Sequence, residues 1–359
     1  MGKWYRFAAL IASVALLAAA CSKKPGTSAS SSGPPKVNFL GCMVTDTGGI
    51  DDRSFNASAW KGMQQAQSEL GITVKYLQST AQTDYAPNIN AFIQQKCGII
   101  VTVGFLMGDD TKKAAEANTS QKFSIVDYAY DPAIPNVQGL TFQTDQAAFL
   151  AGYLAAGMTK TGKVGTYGGE KFATVTIFEN GFAAGIMYYN KQKGTSVQLL
   201  GWDPAKQDGL FVGSFTDQDK GKALANSLMD QGADILLPVA GQDGLGTAAA
   251  VQARGGDNSV IWVDTDGCIS ASQYCSLFLT SVEKQIAVAV DTTVTAAVKG
   301  TFQGGQNFSG TLSDNGVAIA PFHNFDTKVP ASLKAELATV KQGIISGSIS
   351  VNPKDYLSG

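Results

Sequence analysis

The stretch Val44 to Asn56, VTDTGGIDDRSFN, joins an apolar run to an amphipathic segment through a turn rich in glycine and aspartate. The run before it, Val37 to Met43, has the length of a β-strand. After it, apolar residues recur at helical spacing up to Leu70, and Gly71 follows as a stop signal. Asp46 ends the strand, which in an open α/β sheet places it at the crevice where ligands bind. We therefore predict a strand, a ligand-facing loop and a helix.

The helix that follows this loop needs a cap for its first free amide groups. Ser54 or Asp52 can supply one, and Asp51 and Asp52 both lie near the positive end of the helix, where carboxylates are favoured by about 0.3–1 kcal/mol each. Asp46 is left over from this role, which strengthens its assignment to a ligand site.

Beyond this unit, predicted strands and helices alternate along the chain. Alternation of this kind is typical of parallel βαβ units. One series covers residues 37–142, and a similar series covers residues 143–280. The fold class predicted is therefore α/β, with two doubly wound lobes joined by a hinge and separated by a cleft.

The last part of the chain departs from this tandem pattern. Residues 281–299 are predicted as one long helix, residues 310–321 as a hairpin rich in glycine, and residues 331–345 as a final helix. Two-lobed binding proteins of this plan cross between their lobes three times. We therefore assign residues 281–320 to the first lobe and residues 321–359 to the second.

The first 36 residues are typical of an exported and anchored protein. Two basic residues precede the apolar run Phe7 to Ala20, which is short for a membrane span and ends in small residues, so residues 1–20 are predicted to be a signal peptide. Cys21 follows directly in a sequence that resembles the lipobox of bacterial lipoproteins, and we expect it to be lipidated. A plain secretory signal cleaved near Ala20 is the alternative. Residues 21–36 are rich in serine, glycine and proline and should form a flexible tether to the extracytoplasmic face of the cell membrane.

The composition and charge of the chain indicate its size class and exclude one kind of partner. The 359 residues are 44% hydrophobic and 16% charged, enough to fill the cores of two lobes. After residue 36 the chain has 22 basic and 29 acidic residues, and a body of that sign does not attract nucleic acid.

Four cysteines lie within this body. An even count in an exported protein favours two disulfides, Cys42 with Cys97 and Cys268 with Cys275, and buried free thiols are the alternative.

Three apolar strands are predicted to end in aspartate, at Asp46, Asp127 and Asp264. Because aspartate is unfavourable in strands and costly to bury without a partner, we expect the three to face one cleft, although each could instead cap the next helix or turn. The loop Gly241 to Gly246, GQDGLG, follows another strand and is expected to line the same cleft, because its glycines let a ligand approach the backbone and amide groups at a helix start can donate hydrogen bonds. Its glycine spacing does not match a dinucleotide fingerprint. The one histidine, His323, is expected to be structural. No catalytic array, metal site or cofactor site is predicted.

Several motifs together resemble the basic membrane protein family, the purine-nucleoside receptor lipoproteins of ABC transporters. The resemblance covers roughly residues 37–325, and VTDTGGIDDRSFN is its most specific part. The further motifs that resemble the family are VGF at 103–105, AFLAG at 148–152, GFAAG at 181–185, GSFTD at 213–217, the GQDGLG loop, VDTD at 263–266 and LTS at 279–281 running on to Lys284.

The resemblance implies a type I periplasmic-binding-protein-like fold that holds a solute between closing lobes without altering it, so the protein is expected not to be an enzyme. It implies a purine nucleoside such as inosine, guanosine or adenosine, and an ABC transporter permease as partner. The site residues it implies are Phe55 and Phe215 around the purine ring, Asp46 and Asn56 at the base edge, Asp264 at the ribose with Lys284 and Gly241 beside it, and Asp127 and Asp266 in lesser roles. Gly267-Cys268 stands where the family usually has glutamine after its aspartate pair, so the ribose end is expected to differ.

Two other functions share some of these features. A sugar-binding or autoinducer-binding protein on the same fold would keep Asp264 but would not need the two phenylalanines. A calcium-dependent nucleoside hydrolase carries a similar aspartate cluster, but Val44 stands where its leading aspartate would be, and His323 would be the one available catalytic histidine.

Overall fold

Two six-stranded β-sheets form the framework of residues 34–357, the part of the chain that the computed structural model describes. The predicted signal peptide and Cys21 lie outside the described residues, as does most of the predicted tether. Residues 34–357 belong to one compact unit. Within them, no helix is both long and apolar enough to span a membrane.

The first sheet carries the opening motif and is parallel throughout. Its strand order is β2-β1-β3-β4-β5-β13. The strands are β1 Leu40–Thr45, β2 Thr73–Leu77, β3 Ile99–Val103, β4 Phe123–Val126, β5 Val137–Phe142 and β13 Phe308–Gly310. The helices of this lobe are α1 Phe55–Leu70, α2 Tyr85–Gln94, α3 Gly108–Ala117 and α9 Ile286–Lys299.

The second sheet has the order β7-β6-β10-β11-β12-β14, and its last strand is antiparallel. The strands are β6 Lys163–Gly168, β7 Gln198–Leu200, β10 Ile235–Val239, β11 Ser259–Asp264, β12 Phe278–Lys284 and β14 Val317–Ile319, with a separate pair of β8 Trp202–Asp203 and β9 Asp208–Gly209. The helices are α4 Thr144–Met158, α5 Ala173–Lys193, α6 Gln218–Asp230, α7 Asp243–Arg254, α8 Gly267–Ser270 and α10 Ala331–Ile345.

The central strands of both sheets are buried on both faces because helices cover the two sides. Every residue of β3 and β10 is buried, which is why these strands are continuous apolar runs rather than alternating ones. The predicted α/β class with two doubly wound lobes is confirmed. The opening strand lies at Leu40–Thr45 rather than 37–43, and Gly71 ends α1 in the left-handed conformation at φ 68°.

The prediction of one helix over residues 281–299 is wrong at its start. Residues 278–284 form β12 inside the second sheet, and α9 begins at Ile286. The error has a physical cause, since Val282, Ile286, Val290 and Val294 are all buried and four residues apart. Their spacing imitates one helical face across the junction between a strand and a helix.

The hairpin predicted over residues 310–321 is also wrong. β13 pairs with β5 in the first sheet, whereas β14 pairs with β12 in the second. Gly310 and Gly316 lie so close together that neither could carry a side chain, and the turn between them carries the chain from the first sheet to the second.

The chain therefore passes between the sheets three times, after β5, after β12 and after β13. The expected domain boundaries placed residues 281–284 and 317–319 in the first lobe, but both segments are hydrogen-bonded into the second sheet. We propose 37–142 plus 286–310 as the first lobe and 144–284 plus 317–357 as the second.

Two disulfides tie loops to this framework. One joins Cys42 in β1 to Cys97, just before β3. The other joins Cys268 in α8 to Cys275 in the segment that leads to β12.

Candidate functional site

A cavity of about 660 Å³, including its mouth, lies between the two lobes at the carboxyl ends of their strands. Of the residues proposed from the sequence as ligand contacts, all but one line this cavity. They are Asp46, Phe55, Asn56, Asp127, Phe215, Gly241, Asp264 and Lys284.

Asp46 and Asn56 form a hydrogen-bonded pair at the end of β1. The Asn56 Nδ2 donates to Asp46 Oδ1 over 2.7 Å, and the backbone N–H of Gly48 donates to the same oxygen over 2.9 Å. These contacts occupy one oxygen of Asp46. The Asn56 Oδ1 is buried and has no hydrogen-bond partner among the described residues. Burial raises the pKa of Asp46, and the bonds from Asn56 and Gly48 partly oppose that rise. The pair can thus receive donor groups of a ligand.

Asp52 caps α1 and was not proposed from the sequence as part of the cavity lining. Its carboxylate accepts from the backbone N–H groups of Ser54 over 3.0 Å, Asn56 over 2.7 Å and Ala57 over 3.0 Å. Burial raises the pKa of Asp52 to about 7 despite these three bonds. The capping role expected for Asp52 or Ser54 therefore belongs to Asp52, and it fixes the loop that carries Asn56.

Lys284 lies between two aspartates that also line the cavity. Its Nζ is 2.7 Å from Asp127 Oδ2 and 3.1 Å from Asp264 Oδ1, and the three side chains are 3%, 8% and 9% exposed. Burial alone would lower the pKa of Lys284, but attraction to Asp127 and Asp264 outweighs it and raises the pKa. Asp127 belongs to the first lobe and Lys284 to the second, so this buried ion pair links the lobes.

Two of these aspartates have strained backbones. Asp127 directly follows β4 with φ 62°, and Asp264 ends β11 with φ 66°. Positive φ is uncommon outside glycine and costs on the order of 1–3 kcal/mol when the surrounding structure imposes it. The strain is consistent with selection of these two positions for a function rather than for the stability of the strands.

Much of the apolar lining of the cavity is aromatic. The Phe55 ring lies at the start of α1, 4.7 Å from Lys284 Nζ, and Phe215 lies in the second lobe, where its backbone O accepts from the N–H of Gln242 after Gly241. Phe105 and Phe172 were missed as site residues. Their rings stack across the lobes with centroids 6.0 Å apart. Phe105 lies within the VGF motif just after β3, which was the available signal.

Polar contacts also hold the two lobes together beside the cavity. The hydroxyl of Ser54 donates to Asp264 Oδ2 over 2.6 Å, and Trp262 Nε1 donates to the backbone O of Arg53 over 3.3 Å. In addition, Gln242 Nε2 donates to the backbone O of Gly48 over 3.1 Å. The opening motif therefore contacts the second lobe at three points, which defines a closed arrangement.

Asp266 is the proposed site residue that the structure places elsewhere. Its side chain accepts from the N–H of Cys268 and lies 2.7 Å from His323 Nε2. The short α8 begins directly after Asp266 and turns it away from Asp264. Of the two aspartates in the VDTD motif, only Asp264 therefore lines the cavity.

This architecture of two α/β lobes with a closed interlobe cavity defines a class. A solved structure of ABC transporter system solute-binding proteins from Aeropyrum pernix K1 aligns with a TM-score of 0.79 and 26% identity, over 87% of this chain and 92% of that chain. The chain is thus similar to type I periplasmic binding proteins, and the expected fold is confirmed.

The chain belongs to the Bmp family, ABC transporter substrate-binding proteins of the PnrA-like type, whose model matches residues 39–354. It is 32% identical to a CD4+ T-cell-stimulating antigen of Listeria innocua, over 96% of both chains. It is 30% identical to the ABC transporter nucleoside-binding protein BmpA of Lactococcus lactis, over 96% of this chain and 97% of the relative. The expected family is confirmed, and it is a family of substrate-binding proteins.

Proposed function

We propose that this protein binds a purine nucleoside in the interlobe cavity and delivers it unchanged to an ABC transporter permease. The observation that carries the proposal is the lining of the cavity, which brings together Phe55 and Phe215, from opposite lobes, with the polar side chains of Asp46, Asn56, Asp264 and Lys284. Stacking of a base on an aromatic ring is worth about 1–3 kcal/mol. The nucleoside-binding name of the Lactococcus lactis relative supports the same ligand class.

The polar groups divide between a base end and a sugar end. At the base end, Asp46 and the unpartnered Asn56 Oδ1 suit a ring edge that offers donors, such as N1–H of inosine or guanosine. At the sugar end, Asp264 and Asp127 can accept from the ribose hydroxyls, with Lys284 and Gly241 beside them.

The charge balance of the cavity favours a nucleoside over a nucleotide. Among the described residues, its lining has one basic side chain, Lys284, against four aspartates. That lysine is already paired with two of the aspartates, at 2.7 and 3.1 Å. A phosphate group would therefore meet mainly repulsive charge.

We further propose that the mature protein is a lipoprotein anchored through Cys21 on the extracytoplasmic face of the cell membrane. The two disulfides of the described residues support an oxidising compartment. Mass spectrometry of the membrane fraction tests this directly, because lipidation adds a diacylglyceryl mass at Cys21 and a Cys21→Ser variant should leave the membrane.

Thermal unfolding with a panel of ligands tests the binding proposal. A ligand at a hundredfold excess over its Kd adds about 2.7 kcal/mol of stability, so inosine, guanosine or adenosine should raise Tm while ribose should not. A shift with ribose alone would favour a sugar-binding protein. Release of free hypoxanthine from inosine in the presence of calcium would instead indicate a hydrolase.

A further inference from the structure

A second group of metal-binding side chains lies outside the nucleoside cavity, where α8 packs beside β12. Asp266, Cys268 and His323 each direct a ligand atom into this group, and the three atoms lie within 4.8 Å of one another. Cys275 is joined to Cys268 by the disulfide, so a fourth ligand, the second sulfur of the group, is adjacent. The group thus combines two sulfurs, one imidazole and one carboxylate.

These four groups are those that zinc binds in proteins, usually as a tetrahedron of sulfur, nitrogen and carboxylate oxygen. Zinc bonds of about 2.0–2.3 Å place neighbouring ligand atoms roughly 3.3–3.8 Å apart. The Asp266 Oδ2 to His323 Nε2 distance is 2.7 Å, the ligand atoms of Asp266, Cys268 and His323 lie within 4.8 Å of one another, and Cys275 Sγ is bonded to Cys268 Sγ. Movements of about 1 Å would bring these atoms to zinc spacing, which side-chain rotation can supply.

The disulfide decides whether the sulfurs are available. While Cys268 and Cys275 are bonded to each other, neither is a thiolate, and Asp266 and His323 simply bond to one another. We propose that reduction of this disulfide creates a zinc site formed by Asp266, Cys268, Cys275 and His323. His323, which we expected to be structural, is then a metal ligand in the reduced protein.

The chemistry balances with a named reductant. A trialkylphosphine and one water convert the disulfide to two thiols, and the phosphine becomes its oxide. Zinc then binds both sulfurs as thiolates and releases two protons to the solvent. A dithiol reagent such as dithiothreitol would act in the same way and end as its own disulfide.

The surroundings of the group make it a defined site rather than a mobile loop. Asp266 is 7% exposed and its other oxygen accepts from the N–H of Cys268 over 2.9 Å. The N–H of Gly267 donates to the buried hydroxyl of Ser281 on β12 over 3.0 Å. His323 keeps about a third of its side chain exposed, so a metal ion can enter from solvent.

The test measures zinc binding by the full chain before and after treatment with tris(2-carboxyethyl)phosphine, with a chromophoric chelator as competitor. We expect one tightly bound zinc per chain after reduction and none before it. Cobalt in place of zinc should show the thiolate-to-metal absorption of a tetrahedral sulfur site. Tryptophan fluorescence follows folding throughout.

Two variants identify the ligands. Loss of an outer-shell partner of a metal site weakens affinity about 10–100-fold, so His323→Ala, which removes a direct ligand, should weaken zinc binding at least that much. Cys268→Ser with Cys275→Ser should abolish tight binding while it leaves the other cysteines in place. The Cys42 and Cys97 pair, 0% and 4% exposed, is the internal control.

Equal zinc binding by oxidised and reduced protein would overturn the proposal. So would unchanged zinc affinity in His323→Ala, or tight binding that persists in the double serine variant, because either result would assign the metal to other groups.

Discussion

Replacement of Lys284 by methionine tests the ion cluster that joins the lobes. The change keeps the length and much of the volume of the side chain but removes its charge. Asp127 and Asp264 then remain beside each other, 8% and 9% exposed, without the cation that was 2.7 and 3.1 Å away. We expect the free energy of unfolding at neutral pH to fall by about 3–5 kcal/mol, the usual result of removing one partner of a buried pair.

A surface pair supplies the matched control. Lys206 Nζ lies 2.9 Å from Asp203 Oδ2, almost the same distance, but the two side chains are 79% and 41% exposed. Because solvent screens exposed charges, Lys206→Met should leave the free energy of unfolding nearly unchanged. Because the two ion pairs have similar distances but different exposure, the difference between the variants measures the effect of burying the charges.

The Lys284→Met effect should depend on pH in a definite direction. Burial raises the pKa of Asp127, and Lys284 is the main influence that opposes the rise, so the variant should raise this pKa further. A carboxyl whose pKa is higher in the folded state binds more protons when folded, so stability falls as pH rises between the unfolded pKa of about 3.9 and the folded pKa. The deficit of Lys284→Met should therefore be largest near neutral pH and shrink in acid.

Urea unfolding followed by tryptophan fluorescence at several pH values provides the assay. Addition of Asp127→Asn to Lys284→Met should recover part of the lost stability, since one buried charge is then gone. A deficit no larger than that of Lys206→Met, or one that does not change with pH, would refute the assignment of Lys284 as a buried interlobe cation.

Three further predictions concern other parts of the molecule. Phe215→Ala should weaken nucleoside binding about 5- to 150-fold in a calorimetric titration. Phe302→Ala, which removes a partly buried ring outside the cavity, should leave the affinity unchanged. An equal loss of affinity in the two variants would show that Phe215 does not contact the ligand. Ser54→Ala should weaken nucleoside binding about 10- to 150-fold, because the closed state loses the 2.6 Å hydrogen bond from the Ser54 hydroxyl to Asp264. An unchanged Kd would show that this hydrogen bond does not favour closure of the lobes. Burial raises the pKa of Glu179 to about 9, so its folded form holds a proton that the unfolded chain releases and stability should fall as pH rises towards 9. In Glu179→Gln the free energy of unfolding, measured by chemical denaturation, should depend less on pH, by at most about 1.4 kcal/mol per pH unit. Identical pH profiles for the variant and the wild type would show that another group causes the dependence.

Local sequence was sufficient for much of the site. The opening motif could be assigned to a strand, loop and helix because apolar periodicity changes from β-strand to helical spacing across glycines, and this put Asp46 at one edge of the first sheet. Asn56 was proposed from the family resemblance alone. Asp127 and Asp264 could be paired with that edge because carboxyl ends of parallel strands meet at the cleft.

The remaining features depend on contacts between residues that are distant in sequence, which local sequence patterns do not reveal. Phe105 and Phe172 are far apart in sequence, and only the closed lobes bring their rings within 6.0 Å. Asp266 was proposed from the VDTD motif of the family resemblance, but the turn into α8 directs it to His323. Sequence periodicity also could not separate β12 from α9, because buried residues recur every fourth position across their junction.

We propose that a purine nucleoside binds in the cavity between the lobes and is released without chemical change. Native mass spectrometry of the folded protein, incubated with inosine, measures this most directly. We expect one added nucleoside mass per chain in the wild type, greatly reduced in Phe215→Ala, and recovered as intact inosine after denaturation. An adduct with ribose or hypoxanthine alone, or inosine bound equally well by both proteins, would contradict it.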